Sequence, residues 1–159
     1  MKIGVENMFQ KDRLRSCNVH DTCSRAEEYV RYIDTLDSEY AVACLDVGHV
    51  GLPSRADGAE NIIRALGHDR LKALHVHDND FLSDKHMLPF FGKIDWEEIT
   101  QALADVDYDG NFTYEVTPTL LNTTVDSFTP IAAKFMADTG YHLISEIERK
   151  KVPHIDANK

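Results

Sequence analysis

Four ionisable residues stand at or near the C-terminal ends of four short apolar runs. Glu6 closes Lys2–Glu6 (KIGVE) and Asp46 closes Ala41–Asp46 (AVACLD). His75 lies in Leu71–His77 (LKALHVH), and Glu115 in Asn111–Val116 (NFTYEV). Taken singly, each is an ordinary polar residue turning to solvent. Together, two Glu, one Asp and one His, one per run, make an O,O,O,N ligand set that suits Mn²⁺, Mg²⁺, Co²⁺ or Zn²⁺. His75 and His77 alternate, so in a strand both imidazoles face one side. His49 lies three residues past Asp46, and Gly48 between them allows the sharp turn that would bring its ring over the same place; alone it reads as a loop histidine.

A long segment follows the third run and carries Asp78, Asn79, Asp80, then Asp84-Lys85-His86, then Pro89 and Gly92. Its length suggests a functional loop, or equally a solvated acidic one. Asp84 and His86 are candidates for a further ligand pair or for loop structure. His20, His68, His142 and His154 read as surface residues. Cys44 reads as a small core residue, and Trp96 as a packing anchor behind an Asp95 cap. No Walker loop, GxGxxG or GxSxG occurs.

These residues need elements to position them. The four runs are short and apolar, as buried strands are. Between them lie helical patterns. The first carries Ala26, Tyr29, Val30, Ile33 and Leu36 on one stripe, behind a capping box of Ser24 and Glu27. The second runs from about Asp57 to Leu66, with Gly67 as its C-cap. The third opens at Asp95 and buries Trp96, Ile99 and Leu103. The fourth spans about Ser127 to Lys150, with Phe128, Ile131, Ala132, Phe135 and Met136 on its stripe and Gly140 as a point of interruption. The order β-α-β-α-β-α-β-α predicts an α/β fold, four βα units on a parallel sheet. In such folds, sites form at the C-terminal strand ends. The pattern fits a small doubly wound domain or half of an eight-stranded barrel. We expect one domain over residues 1–150 and a tail over 151–159.

Composition narrows the function. The 159 residues are 43% hydrophobic and 28% charged, ordinary for a soluble globular domain. No apolar run is long enough for a membrane helix, and the first nine residues are too polar for a secretory signal. The net charge of −10 argues against general affinity for nucleic acid. Cys17, Cys23 and Cys44 are an odd number without CxxC spacing, as reduced thiols in a cytoplasmic protein are.

Several short motifs, in order, resemble the sugar phosphate isomerase/epimerase family of xylose isomerase-like TIM barrels. They are Glu6-Asn7-Met8, Leu45-Asp46-Val47-Gly48-His49, Leu74-His75-Val76-His77-Asp78-Asn79, Asp84-Lys85-His86 through Pro89 and Gly92 to Ile94-Asp95-Trp96, and Tyr108-Asp109-Gly110 with Tyr114-Glu115. The resemblance covers Ile3 to about Phe135. It implies that Glu6, Asp46, His75 and Glu115 hold one divalent metal ion at strands five to eight. It implies too that Glu6 and Glu115 are the acid/base pair, that substrate contacts fall to His49 and the neighbouring His77, and that the reaction passes through an enediolate.

The chain matches only the C-terminal half of such a barrel. The implied partners are therefore a small-molecule sugar, with no nucleic acid and no membrane, and either further copies of the chain or a partner chain that completes the barrel. Where the family commonly has a glycine beside the loop proline, this chain has Phe90 and Phe91. No phosphate-binding glycine loop is present. Two other readings stand beside the isomerase: a truncated, non-catalytic metal-binding half-barrel, and an abasic-site endonuclease-like metal enzyme, whose Asp-x-His pair Asp84-Lys85-His86 resembles.

Overall fold

The computed structural model describes residues 1–54, 58–116 and 125–151. The chain runs β1 (Ile3–Glu6), β2 (Phe9–Asp12), β3 (Cys17–His20), α1 (Ala26–Leu36), β4 (Ala41–Asp46), α2 (Val47–Val50), α3 (Ala59–Arg70), β5 (Leu71–Val76), α4 (Trp96–Asp105), β6 (Asn111–Tyr114) and α5 (Thr129–Lys150). Four strands form one all-parallel sheet in the order β1-β4-β5-β6, and β2 and β3 form a separate antiparallel hairpin. These four are the strands read from the sequence.

One face of the sheet is covered by helices. Ala43 and Leu45 of β4 and Leu74 and Val76 of β5 meet Tyr29, Ile33, Ile62, Ile63, Leu66, Ile99, Leu103, Leu143 and Ile147 in a single core. Each fully buried Leu or Ile there contributes about 1.5–3 kcal/mol. Since side chains alternate along a strand, Glu6, Asp46, His75 and the position of Glu115 fall on the opposite face. The ladder sets their heights: Asp46 lies opposite His75, and the Glu115 N–H donates to the Val76 carbonyl at 3.2 Å.

Several local details depart from the sequence reading. The hairpin was not anticipated. It turns where the Asp12 carboxylate accepts from the amides of Leu14 and Arg15, with Ser16 at φ 53°. Nor does the expected capping box form. Arg25 is the N-cap of α1 and makes no side-chain cap bond, because the Ser24 hydroxyl lies 3.0 Å from Nδ1 of His20. His20 is thereby half-buried rather than on the surface.

Helical geometry in α3 breaks at Gly67, φ +68°, where the C-cap was expected. The Asp95 cap forms, its Oδ1 accepting from the amides of Glu97 and Glu98. Gly140 does not interrupt α5. The buried side of that helix is Leu143 and Ile147, while Phe128, Ile131 and Phe135 of the expected stripe face outward at 48–61% exposure. Leu36 of α1 is also exposed. Asp57, the Val152 to Lys159 tail and His154 lie outside the described residues. No helix among the described residues is long and apolar enough to cross a membrane.

Candidate metal centre

Backbone geometry puts Asp46 at the end of β4 and at the start of α2, the first turn after the strand. Its Oδ1 caps that turn by accepting from the His49 amide at 2.8 Å. The same turn returns the His49 side chain toward the sheet. Gly48 is required here by close approach: a Cβ on it would collide with the His77 ring. Asn7, just past β1, locks the other side of Asp46. Its side-chain amide donates to the Asp46 carbonyl at 3.0 Å and accepts from the Asp46 N–H at 2.7 Å.

The central group is one imidazole nitrogen faced by three carboxylates. His75 Nδ1 lies 3.2 Å from Glu6 Oε1, 3.2 Å from Glu115 Oε1 and 3.9 Å from Asp46 Oδ2. Glu6, Asp46 and His75 each offer one ligand atom within 4.8 Å of the others. Asp46 is fully buried, whereas the side chains of Glu6 and Glu115 remain 31% and 35% exposed. Three carboxylates converging on one nitrogen repel one another unless a cation lies among them, and the donor set is the hard O,O,O,N type that divalent ions take. These residues fit a divalent ion.

A second group adjoins the first. His77 Nε2 lies 3.0 Å from Asp46 Oδ1. The His77 ring stacks on His86 with centroids 4.2 Å apart and planes at 17°. His86 in turn meets Asp84 Oδ2 at 3.0 Å and the Glu115 carbonyl at 2.6 Å. His49 lies between the two groups. Its Nδ1 is 3.1 Å from the Asn7 carbonyl and 3.8 Å from Glu6 Oε1; its Nε2 is 3.6 Å from Asp84 Oδ2. Phe9 of the hairpin covers it edge-on at 5.1 Å.

Burial alone would lower the His49 pKa, but the Asp84 and Asp46 carboxylates and the Asn7 carbonyl outweigh it and push it up to about 9. For His77 burial is likewise outweighed, chiefly by Asp46, and the shift is upward. Asp84 is held low: burial opposes this, and His49, His86 and His77 overcome it. Two buried polar atoms in the region lack a hydrogen-bond partner, His77 Nδ1 and Asp84 Oδ1.

The structure thus brings together Glu6, Asp46, His75 and Glu115, with His49, His77, Asp84 and His86 around them. His68 and His142 stay at the surface. Sequence reasoning quoted Asn7 and Asp78 only as members of short motifs and missed the role of each. Asp78 is fully buried and pins the long loop: Oδ1 accepts from the amides of Asn79 and Ile94, and Oδ2 from those of Phe90 and Gly92 and from Trp96 Nε1. Trp96 is the anchor expected, and its indole N–H is used as well.

A family model described as a xylose isomerase-like TIM barrel matches residues 1–131. Over 90 residues the chain is 31% identical to the D-psicose 3-epimerase of Enterocloster bolteae, covering 57% of this chain and 26% of that protein. Over 87 residues it is 37% identical to an uncharacterized protein, y4fM, of Sinorhizobium fredii, covering 55% of this chain and 27% of that one.

Among solved structures, a xylose isomerase domain protein from Alicyclobacillus acidocaldarius superposes with a TM-score of 0.68 at 18% identity, over 93% of this chain and 52% of that one. A D-tagatose 3-epimerase-like protein gives 0.65 at 19% identity, over 94% and 48%. The IOLI protein, solved with a bound zinc atom, gives 0.54 at 13%, over 80% and 44%. The chain therefore spans about half the length of these structures, and its matched part about a quarter of the curated relatives.

Proposed function

The chain belongs to the xylose isomerase-like TIM barrel family, and we propose that it is the metal-holding half of a sugar isomerase or epimerase that moves a proton on a carbon beside a carbonyl. The observation that carries this reading is the convergence of Glu6, Asp46 and Glu115 on Nδ1 of His75. The D-psicose 3-epimerase relative supports a ketose as substrate.

Glu6, Asp46, His75 and Glu115 would hold one divalent ion, and their donors accept Mn, Mg, Co or Zn. When bound, such an ion polarises a carbonyl and offsets the charge that builds on its oxygen as the neighbouring proton leaves. The proton itself falls to Glu6 and Glu115. They stand on opposite sides of His75, on the two outer strands' ends, and are the open carboxylates of the group. One removes the proton. The other returns one to the opposite face for epimerisation, or to the neighbouring carbon for isomerisation. His49, beside Glu6 and under Phe9, orients a substrate oxygen. Four further βα units would complete the barrel, supplied by more of the same polypeptide, by another copy of this chain or by a partner chain.

Calorimetric titration with Mn²⁺ tests the metal site. The expected result is about one site per chain, strongly weakened in Asp46→Ala and His75→Ala; equal binding by both variants overturns it. Deuterium wash-in at the carbon beside the carbonyl, read by NMR over a panel of ketoses, tests the chemistry. Metal-dependent exchange that is lost in Glu6→Gln and Glu115→Gln is expected. Exchange that survives in both removes these residues from the mechanism. Bound metal with no exchange on any ketose favours the non-catalytic half-barrel. The grouping of Asp84 and His86 beside His77 is the one feature favouring an abasic-site endonuclease, and cleavage of abasic DNA would establish it against the net charge of −10.

A further inference from the structure

We infer that His77 is a positioning residue for the candidate metal centre: its buried imidazole fixes the orientation of the Asp46 carboxylate, and the stacked His86 ring keeps it there. This rests on the metal reading above. His77 is fully buried, so it has no surface with which to meet a sugar. Its Nε2 lies 3.0 Å from Oδ1 and 3.2 Å from Oδ2 of Asp46. An N–H donated there, with the His49 amide on Oδ1, fixes the plane of the carboxylate. Oδ2 is then left on the side of His75 Nδ1, 3.9 Å away.

The imidazole is itself immobilised from two sides. Gly48 lies so close that no side chain fits between. Beyond the other neighbour, the parallel His86 ring, stand Asp84 Oδ2 and the Glu115 carbonyl. The loop after β5 thus braces the ligand at the end of β4 and the backbone of the ligand after β6 through two stacked rings. Partners that orient a metal ligand typically change affinity by about 10- to 100-fold when removed.

The test uses the full chain titrated with Co²⁺, followed by visible absorption, with far-ultraviolet circular dichroism as the check on folding. His77→Gln keeps an N–H donor near the place of Nε2 and should bind Co²⁺ with nearly the native band and affinity. His77→Phe keeps the stacked ring but loses the donor. It should bind about 10- to 100-fold more weakly, with a shifted band. His86→Leu, which leaves His77 and Asp46 in place, should shift the band in the same direction and lose less affinity; it carries the test if His77→Phe does not fold. Native binding by wild type with unchanged affinity and band in His77→Phe and His86→Leu overturns the positioning role alone. A second equivalent of Co²⁺ lost in His77→Gln also overturns it, by making His77 a ligand. No Co²⁺ site in wild type overturns the metal reading, and this inference with it.

Discussion

The side chain of Asn7 closes a two-point hydrogen-bonded ring on the backbone of Asp46, across 39 positions of sequence. Through this ring, the residue just past β1 sets the height of Asp46 at the end of β4 without touching its carboxylate. Asn7 is itself 1% exposed, so both of its partners lose water when it closes. Asn7→Ala should therefore destabilise the fold by about 2–3 kcal/mol, since it leaves a buried N–H and a buried carbonyl unpaired. Asn7→Asp should cost at least as much, because it faces the Asp46 carbonyl with a second acceptor. Urea unfolding of the metal-free variants measures both. A change under about 0.5 kcal/mol, the ordinary range for a surface substitution, would contradict the buried role.

Two aspartates flank the long loop, and they should behave differently. Asp95 caps α4 from an exposed position, and Asp95→Ala should cost about 1 kcal/mol. Asp78 satisfies four backbone amides and the Trp96 indole from a fully buried position. Asp78→Ala should cost about 3 kcal/mol or more, and should open residues 79–94 to proteolysis while the sheet remains protected. Limited proteolysis with mass spectrometry reads the second effect. Equal cleavage in the two variants would remove Asp78 as the pin of the loop.

The three thiols should separate by accessibility. Cys17 is exposed on the hairpin, whereas Cys23 and Cys44 are buried. Burial, with the Glu28 charge adding to it, pushes the Cys23 thiol up to about 11, so roughly one part in a thousand is thiolate at pH 8. Iodoacetamide at pH 8 should modify Cys17 alone in the folded protein and all three residues in denaturant, counted by intact mass. Labelling of Cys23 at the rate of Cys17 would mean that the base of α1 opens in the native state.

Association follows from two apolar margins. Ile3, Tyr32, Leu36 and Tyr40 are exposed on the β1 side, and Ile131, Phe135, Tyr141 and Ile144 on α5. Among the described residues, no strand pairs with the outer edge of β1 or of β6. At about 25 cal/mol per Å² of apolar surface, covering these margins outweighs leaving them in water. The chain should therefore run as a dimer or larger species in multi-angle light scattering, or come out of solution when expressed alone. A well-folded monomer at micromolar concentration would contradict this.

The four sheet strands were legible because each is a short apolar run bounded by polar residues, and the grouping of Glu6, Asp46, His75 and Glu115 because each such run ends in or just before an ionisable group. The hairpin was not. Its strands FQKD and CNVH are mostly polar and too short to show alternation, and only the Asx-type turn at Asp12 marks them. Ser24 illustrates a different failure. Its spacing to Glu27 is that of a capping box, but the Ser24 hydroxyl is taken up by the His20 ring, four residues back in the chain. Asn7 and Asp78 act through backbone groups many positions away, and a backbone amide leaves no trace in the identity of the residue that bears it. The apolar stripe of α5 was legible but its exposure was not, because periodicity reports that a face is apolar, not what covers it.

The spread of donors from Glu6 to Glu115, one at the end of each parallel strand, also bears on the kinetics of folding. No shorter stretch of the chain contains the full set, so if these four residues hold an ion as proposed, it would meet its complete coordination sphere only after the last strand has docked. Binding is then confined to the finished sheet, and a hundredfold excess of ion over its dissociation constant adds about 2.7 kcal/mol to apparent stability. Most of that gain should appear as slower unfolding, with the rate of folding left nearly unchanged. A chevron recorded with and without the ion would then differ in its unfolding limb, making the ion a clock for the closing step of assembly.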